Sequence, residues 1–187
     1  MTSATEIGGD NPRTPFARRF VGAMKLDARV FSEVEDDRAA LLQASAVVLV
    51  GGLARGVGAV GEEGLVGIVG STLAGVVIWL AAAALIWAIG VRRFEYTSSY
   101  PELLRTLGFA AAPLLWLCLC ALPMGSVATV VWAVVHTWSI LALVVAAREA
   151  LDVSTQQALV VCVLSLLAAF ALLFLLGILF VGRGVSS

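Results

Sequence analysis

The stretch from Pro101 to Leu151 restricts this chain more than any other part of it. It reads as two apolar spans, roughly Leu103 to Leu122 and Val127 to Ala147, joined by a very tight turn at Pro123-Met124-Gly125. Each is about 20 residues long, the length an α-helix needs to cross the ~30 Å hydrocarbon core of a bilayer. The second span carries no formal charge and holds His136 halfway along; the first is charged only near its start, at Arg105. Backbone polar groups in hydrocarbon must find their partners inside the protein, so spans of this kind fold as helices. The expected fold class is all-α, a polytopic integral membrane bundle.

Composition points the same way. Of 187 residues, 60% are hydrophobic and 13% charged, far more apolar than an ordinary soluble domain. A net charge of −1 supplies no field that would attract nucleic acid, so none is expected as a partner. Cys118, Cys120 and Cys162 all fall inside expected spans and read as small apolar core residues rather than a disulfide framework.

Residues 1–13 read as a polar, disordered tail, with no apolar signal-peptide core after the early charges. Thr14 is expected to cap a helix, with Pro15 at its first position. In the segment 14–37, Phe16, Phe20, Met24 and Phe31 recur at helical spacing beside Arg18, Arg19, Lys25 and Arg29. Asp27 interrupts that apolar stripe, so two short amphipathic helices are expected. The stripe has two places to be buried, the headgroup layer or the end of the bundle. The basic residues favour the headgroup layer, which makes Phe16, Arg18, Arg19, Phe20 and Phe31 interfacial. The acidic run of Glu33, Glu35, Asp36 and Asp37 lacks the spaced loop of a calcium site and suits the start of the next helix.

Five spans follow, at about 39–56, 65–91, 102–122, 126–147 and 156–181, in a membrane domain of residues 38–181 with a short tail at 182–187. Gly67, Ser71 and Gly75 recur every fourth residue on the second span, and Gly52 and Gly56 sit four apart on the first. Small-residue faces let helix backbones approach closely in lipid, so a tight hairpin of these spans is expected, with Arg55 snorkelling to the headgroups. Ser99 with Glu102, and Ser154 with Gln157, have capping-box spacing and mark the starts of the third and fifth spans. Gly108 and Pro113 weaken the third span and predict a kink. With the N-terminus inside, ten of the twelve basic residues face inward and only Arg55 and Arg183 outward. The excess of basic residues therefore predicts a cytoplasmic N-terminus and an outside C-terminus.

The stretches AMKLDARVFSEVEDDRAALLQA, YPELLRTLGFAAAPLLW and LVVAAREALDVSTQQAL, on this five-span frame, resemble the Yip domain family over about residues 20–181. These are the Ypt/Rab-interacting membrane proteins and their bacterial relatives, and Gly108-Phe109…Pro113 is the most telling pattern. The acidic-aromatic signature of the eukaryotic trafficking members is not evident. The resemblance is therefore to the bacterial branch, and it implies a multi-pass protein of a bacterial cytoplasmic membrane.

His136 is the one intramembrane ionisable residue near the expected midplane, flanked by Trp132, Thr137, Trp138 and Ser139. With no second titratable group mid-span, a histidine bonded to a neighbouring Thr106, Ser165 or backbone carbonyl is the stronger reading. No carboxylate pair lies in the spans for acid–base work, and one histidine with scattered cysteines does not make a zinc site. No enzyme, cofactor or metal is expected. Two function classes remain. The first is a non-catalytic scaffold or adaptor acting through helix contacts and the N-terminal segment, among lipids, as a homo-oligomer or with another membrane protein. The second is a small transporter, channel or lipid-handling protein with a pathway near His136 and Pro113.

Overall fold

Asp27 divides the N-terminal segment into two short helices. A computed structural model describes the backbone of residues 15–184 and the side chains of residues 15–175. The expected tail at 1–13, the Thr14 cap, the side chain of Arg183 and the last three residues lie outside what it describes. Helix α1 (Phe16–Met24) ends at Lys25, and Leu26 takes a left-handed φ of 59°. The Asp27 carboxylate then accepts from the Arg29 N–H at 3.1 Å to start α2 (Ala28–Asp36). At its far end Asp37 accepts from the Ala39 N–H at 2.9 Å and turns the chain into α3 (Ala40–Gly58).

Helices α4 (Val60–Phe94), α5 (Tyr100–Phe109), α6 (Ser126–Ala150) and α7 (Thr155–Gly184) follow, with a 3₁₀ helix (Ala112–Ala121) prolonging α5. There is no strand among the described residues. Five helical stretches are long and apolar enough to cross a membrane: α3, α4, α5 with its 3₁₀ extension, α6 and α7.

Backbone capping supports two of the entries. The Ser99 N–H donates to Glu102 Oε2 at 2.7 Å, and Ser154 exchanges bonds with Gln157, 3.0 Å one way and 3.4 Å the other. Such reciprocal bonds satisfy N–H groups that the first turn leaves without partners.

Helix α3 is the hub, packing on α4, α5 and the 3₁₀ helix. Its contact with α4 is set by backbone approach. A Cβ on Gly52 would stand 2.8 Å from Thr72 Cα, and one on Gly56 would collide with Ile68 Cα and Ser71 Oγ. Ser71 Oγ donates to the Gly52 carbonyl at 3.2 Å, and Gly75 faces Gly52 across the same seam. At Gly67 the atoms nearest to where a Cβ would stand belong to Glu63, whose own Cβ it would collide with, rather than to α3. Nearer the start of α3, a Cβ on Gly108 would come within 2.7 Å of Ala44 Cβ.

Beyond Gly108 the third span changes its winding. Pro113 has no N–H to give to a preceding carbonyl, and the chain continues as 3₁₀ from Ala112 to Ala121. A 3₁₀ helix rises about 2.0 Å per residue against 1.5 Å for an α-helix, so the span covers more depth with the same residues.

Phe31, Val34, Leu103, Phe109, Ala147 and Leu151 are all fully buried, where α2, α5 and α6 meet. The outer faces of α4 and α7 are exposed and apolar, as at Leu65, Val66, Phe170 and Phe174. Lipid is the natural neighbour of such faces.

Candidate functional site

Two places gather side chains that helix packing alone does not require: the seat of α1 and α2, and a cavity within the spans.

At the seat, consecutive arginines take opposite roles. Arg18 is exposed, whereas Arg19 is 2% exposed and fully engaged. Its Nη2 meets Glu33 Oε1 at 2.9 Å, and its Nη1 meets Asp37 Oδ2 at 2.7 Å and Gln43 Oε1 at 3.1 Å. Burial by itself opposes its charge, but the bonds to Asp37 and Glu33 hold its pKa above the usual value. One guanidinium thus ties α1 to α2 and to the first turn of α3, a planar fork doing what a lysine would not. The apolar stripe turns the same way, toward protein: Phe31 is fully buried and Phe20 half-buried. Phe16 remains 42% exposed, with its ring 6.0 Å from that of Phe20 and 6.3 Å from that of Phe109.

The C-terminal carbonyls of both short helices are held by the spans. Buried Arg105, in the first turns of α5, donates through Nε to Glu35 O at 3.0 Å and Val34 O at 3.3 Å. Trp138, midway along α6, donates its indole N–H to Met24 O at 2.9 Å. These are carbonyls that a helix end leaves without intrahelical partners. From sequence, Arg105 reads only as a charge near the start of its span and Trp138 as a neighbour of His136, so neither pairing is visible there. The available signal was the placement of a five-donor side chain on the first turns of an otherwise apolar span. Beside Arg105, burial pushes the Glu35 carboxyl up to about 7, helped by the charges of Asp152, Glu102 and Asp36.

The second place surrounds His136. Its Nδ1 lies 2.8 Å from the Trp132 carbonyl, one turn back on α6, and its ring stacks on Trp132 with centroids 4.1 Å apart. A carbonyl only accepts, so Nδ1 is the donor in this bond. Thr106 bonds within its own helix, to Glu102 O and Leu103 O, and Ser165 Oγ is buried without a partner.

A partly open cavity of about 230 Å³ lies beside His136, between α3, α4, α5 with its 3₁₀ extension, and α6. Its walls are mainly apolar, with Val48, Ile78, Leu107, Leu114, Ile140 and Leu143. The polar exceptions are Arg55, Ser71, His136, Ser139 and the Trp79 edge; Ser139 Oγ is buried there with no hydrogen-bond partner. Arg55 also lines a larger recess of about 550 Å³ toward the α3–α4 turn, with Glu62, Glu63, Thr129 and Trp132. The cavity thus brings Gly52, Ser71 and Gly75 together with His136, while Gly56, Gly67, Gly108 and Pro113 stand outside its lining. Among the described residues no three histidine, cysteine, aspartate or glutamate side chains converge as metal ligands would.

A family model described as the Yip1 domain matches residues 28–177, most of the chain. The chain belongs to the Yip1 domain family. The Yip1 match begins at the first residue of α2 and ends within α7, so it takes in the Arg105 and Trp138 donors, the cavity and all five candidate spans. It leaves α1 outside. No curated protein and no solved structure matches the chain.

Proposed function

We propose that this Yip1-domain membrane protein is a non-catalytic scaffold or adaptor, with α1 and α2 as the face it offers to a partner. The observation that carries this reading is the way the spans hold that pair. Arg105 and Trp138 grip the ends of both helices and Arg19 locks them to α3, while Arg18, Lys25 and Arg29 are left on the exposed side. A helix pair seated at three points is a rigid platform, and rigid platforms lose little entropy on binding.

In this reading the platform faces the cytoplasm, with Gly61 outside, an orientation the basic-residue excess favours, and the membrane is the cytoplasmic membrane of a bacterium. The partner is a second copy of the chain or another membrane protein with an acidic surface at that face. Gentle extraction of the full chain in native lipid, followed by mass measurement of the intact particles, tests the proposal. Stoichiometric partner or self-association should be present and should be lost when Arg18, Lys25 and Arg29 are replaced together by Glu. A wild-type particle that is monomeric and carries no other protein would overturn the adaptor reading.

A further inference from the structure

The intramembrane cavity carries an inference independent of any adaptor role. At about 230 Å³ it is smaller than the ~300–1,000 Å³ of a pocket for a compact small molecule. It sits between helices that span the hydrocarbon, and its walls at Ile78, Leu114 and Ile140 offer nothing to a hydrated solute. Helices α4 and α6 both line it without substantial packing on one another. A chain-like apolar group entering from the bilayer is the occupant this shape suits.

The charges at its mouth specify the rest of that occupant. Arg55 lines both the cavity and the adjoining recess, and the ion pairs among the described residues engage Arg19 and Arg148 instead. A guanidinium at the end of a span binds a phosphate through two parallel N–H donors. Glu62 and Glu63 line the same recess, so a purely anionic headgroup would meet two carboxylates for one arginine. A headgroup bearing both a phosphate and an ammonium satisfies all three.

We infer that the cavity and the recess joined at Arg55 form a binding site for one zwitterionic phospholipid. An acyl chain lies beside Leu114 and Ile140, the phosphate on Arg55 and the ammonium on Glu62 or Glu63. The unpartnered Ser139 hydroxyl and His136 line the same cavity, along the chain's path.

The test uses the full chain, delipidated in mild detergent and mixed with dioleoyl phosphatidylethanolamine or dioleoyl phosphatidylglycerol, with bound lipid counted by native mass spectrometry. One phosphatidylethanolamine should be retained per chain, at least fivefold more than phosphatidylglycerol. Arg55→Gln and the cavity-filling Ser139→Leu should each lower retention at least fivefold. The double change Glu62→Gln with Glu63→Gln should abolish the preference between the lipids. A diazirine-bearing acyl chain on phosphatidylethanolamine, used with the unmodified protein, should label the 107–114 and 136–143 segments. That last measurement stands even where a variant fails to fold. Labelling confined to the outward faces of α4 and α7, equal retention of the two lipids, or unchanged retention in a folded Ser139→Leu protein would each overturn the inference.

Discussion

Buried Arg105 donates at 3.0 Å to the main-chain oxygen of Glu35, while the carboxyl of that same Glu35 is pushed up to about 7. The residue is therefore pinned by its backbone in a place its side chain resists when charged. Burial is the first cause, and the carboxylates of Asp152, Glu102 and Asp36 add to it. Arg105 opposes them but does not win, because its donors are spent on carbonyls.

A pH dependence follows. Unfolded, Glu35 titrates near its ordinary value of 4.5; folded, it holds its proton to about 7. Its stabilising contribution is complete below about 4.5 and is lost as pH rises through about 7. Discounted for the partly exposed carboxyl, the loss is about 1–2 kcal/mol. Glu35→Gln keeps the carbonyl that Arg105 holds and removes the charge. Thermal unfolding in detergent should find this variant more stable than the parent near pH 8 and equal to it near pH 5. A variant less stable than the parent at the higher pH would show that the carboxylate is a favourable partner instead.

The Arg19 network makes a different kind of prediction. Removing one partner of a buried charge cluster leaves the others without compensation, at about 3–5 kcal/mol where burial is complete. Glu33 and Asp37 are partly exposed, so Arg19→Ala should cost less, about 2–3 kcal/mol. The loss should be local. Hydrogen exchange should rise in α1 and α2 while α3 to α6 keep their protection, and Arg18→Ala should leave both unchanged. Uniform exchange across the whole protein in Arg19→Ala would mean that α1 and α2 do not open separately.

The contrast between Arg18 and Arg19 also shows what sequence conveys here. Five spans are legible because each must supply about 20 apolar residues whatever it packs against. The division at Asp27 is legible because a carboxylate on an apolar stripe can find its partner at a helix start. Which of two adjacent arginines turns inward is not legible, since periodicity gives a face but not what covers it. The same gap hides Arg105 and Trp138, whose acceptors are carbonyls 70 and 114 positions away in sequence. Sequence shows that Pro113 disturbs its helix; the 3₁₀ winding that results depends on α3 and α6 packed against both sides. The cavity is invisible for a related reason, because Gly52 and Gly75 read as a close helix contact and Ala82 and Ala111 only as small residues, none of which predicts a space.

The α3–α4 seam separates glycines that one spacing rule treats alike. Gly52→Leu and Gly56→Leu place a side chain against Thr72 Cα and Ile68 Cα, which cannot yield without parting the helices. Overpacking of this kind costs about 1–3 kcal/mol or more. Gly67→Leu meets Glu63, whose Cβ would collide with the new one, so the short turn ahead of the non-helical Gly64 must shift. Thermal midpoints should therefore drop clearly for the first two variants and by much less for Gly67→Leu. Equal losses at Gly56 and Gly67 would place Gly67 on a helix contact.

The orientation of the bundle can be read at two positions. Gly61 lies in the first turn of α4, just after the connection from α3, and has nothing within 4 Å of where a side chain would start. The connection from α4 to α5 holds exposed Thr97, just beyond Arg92 and Arg93. A non-helical break at Gly64 separates Gly61 from the run 65–94, so the two positions lie beyond opposite ends of that run and must face opposite sides of the membrane if it crosses. Cysteines placed there, in a chain with Cys118, Cys120 and Cys162 changed to Ala, report each side independently. The excess of basic residues at the Thr97 end predicts the direction, because cytoplasmic loops tend to carry such an excess. In intact cells a membrane-impermeant maleimide should label Gly61→Cys, and should reach Thr97→Cys only after the membrane is opened. Labelling of Thr97→Cys in intact cells with Gly61→Cys protected would reverse the topology and put α1 and α2 outside, where a cytoplasmic partner cannot reach them.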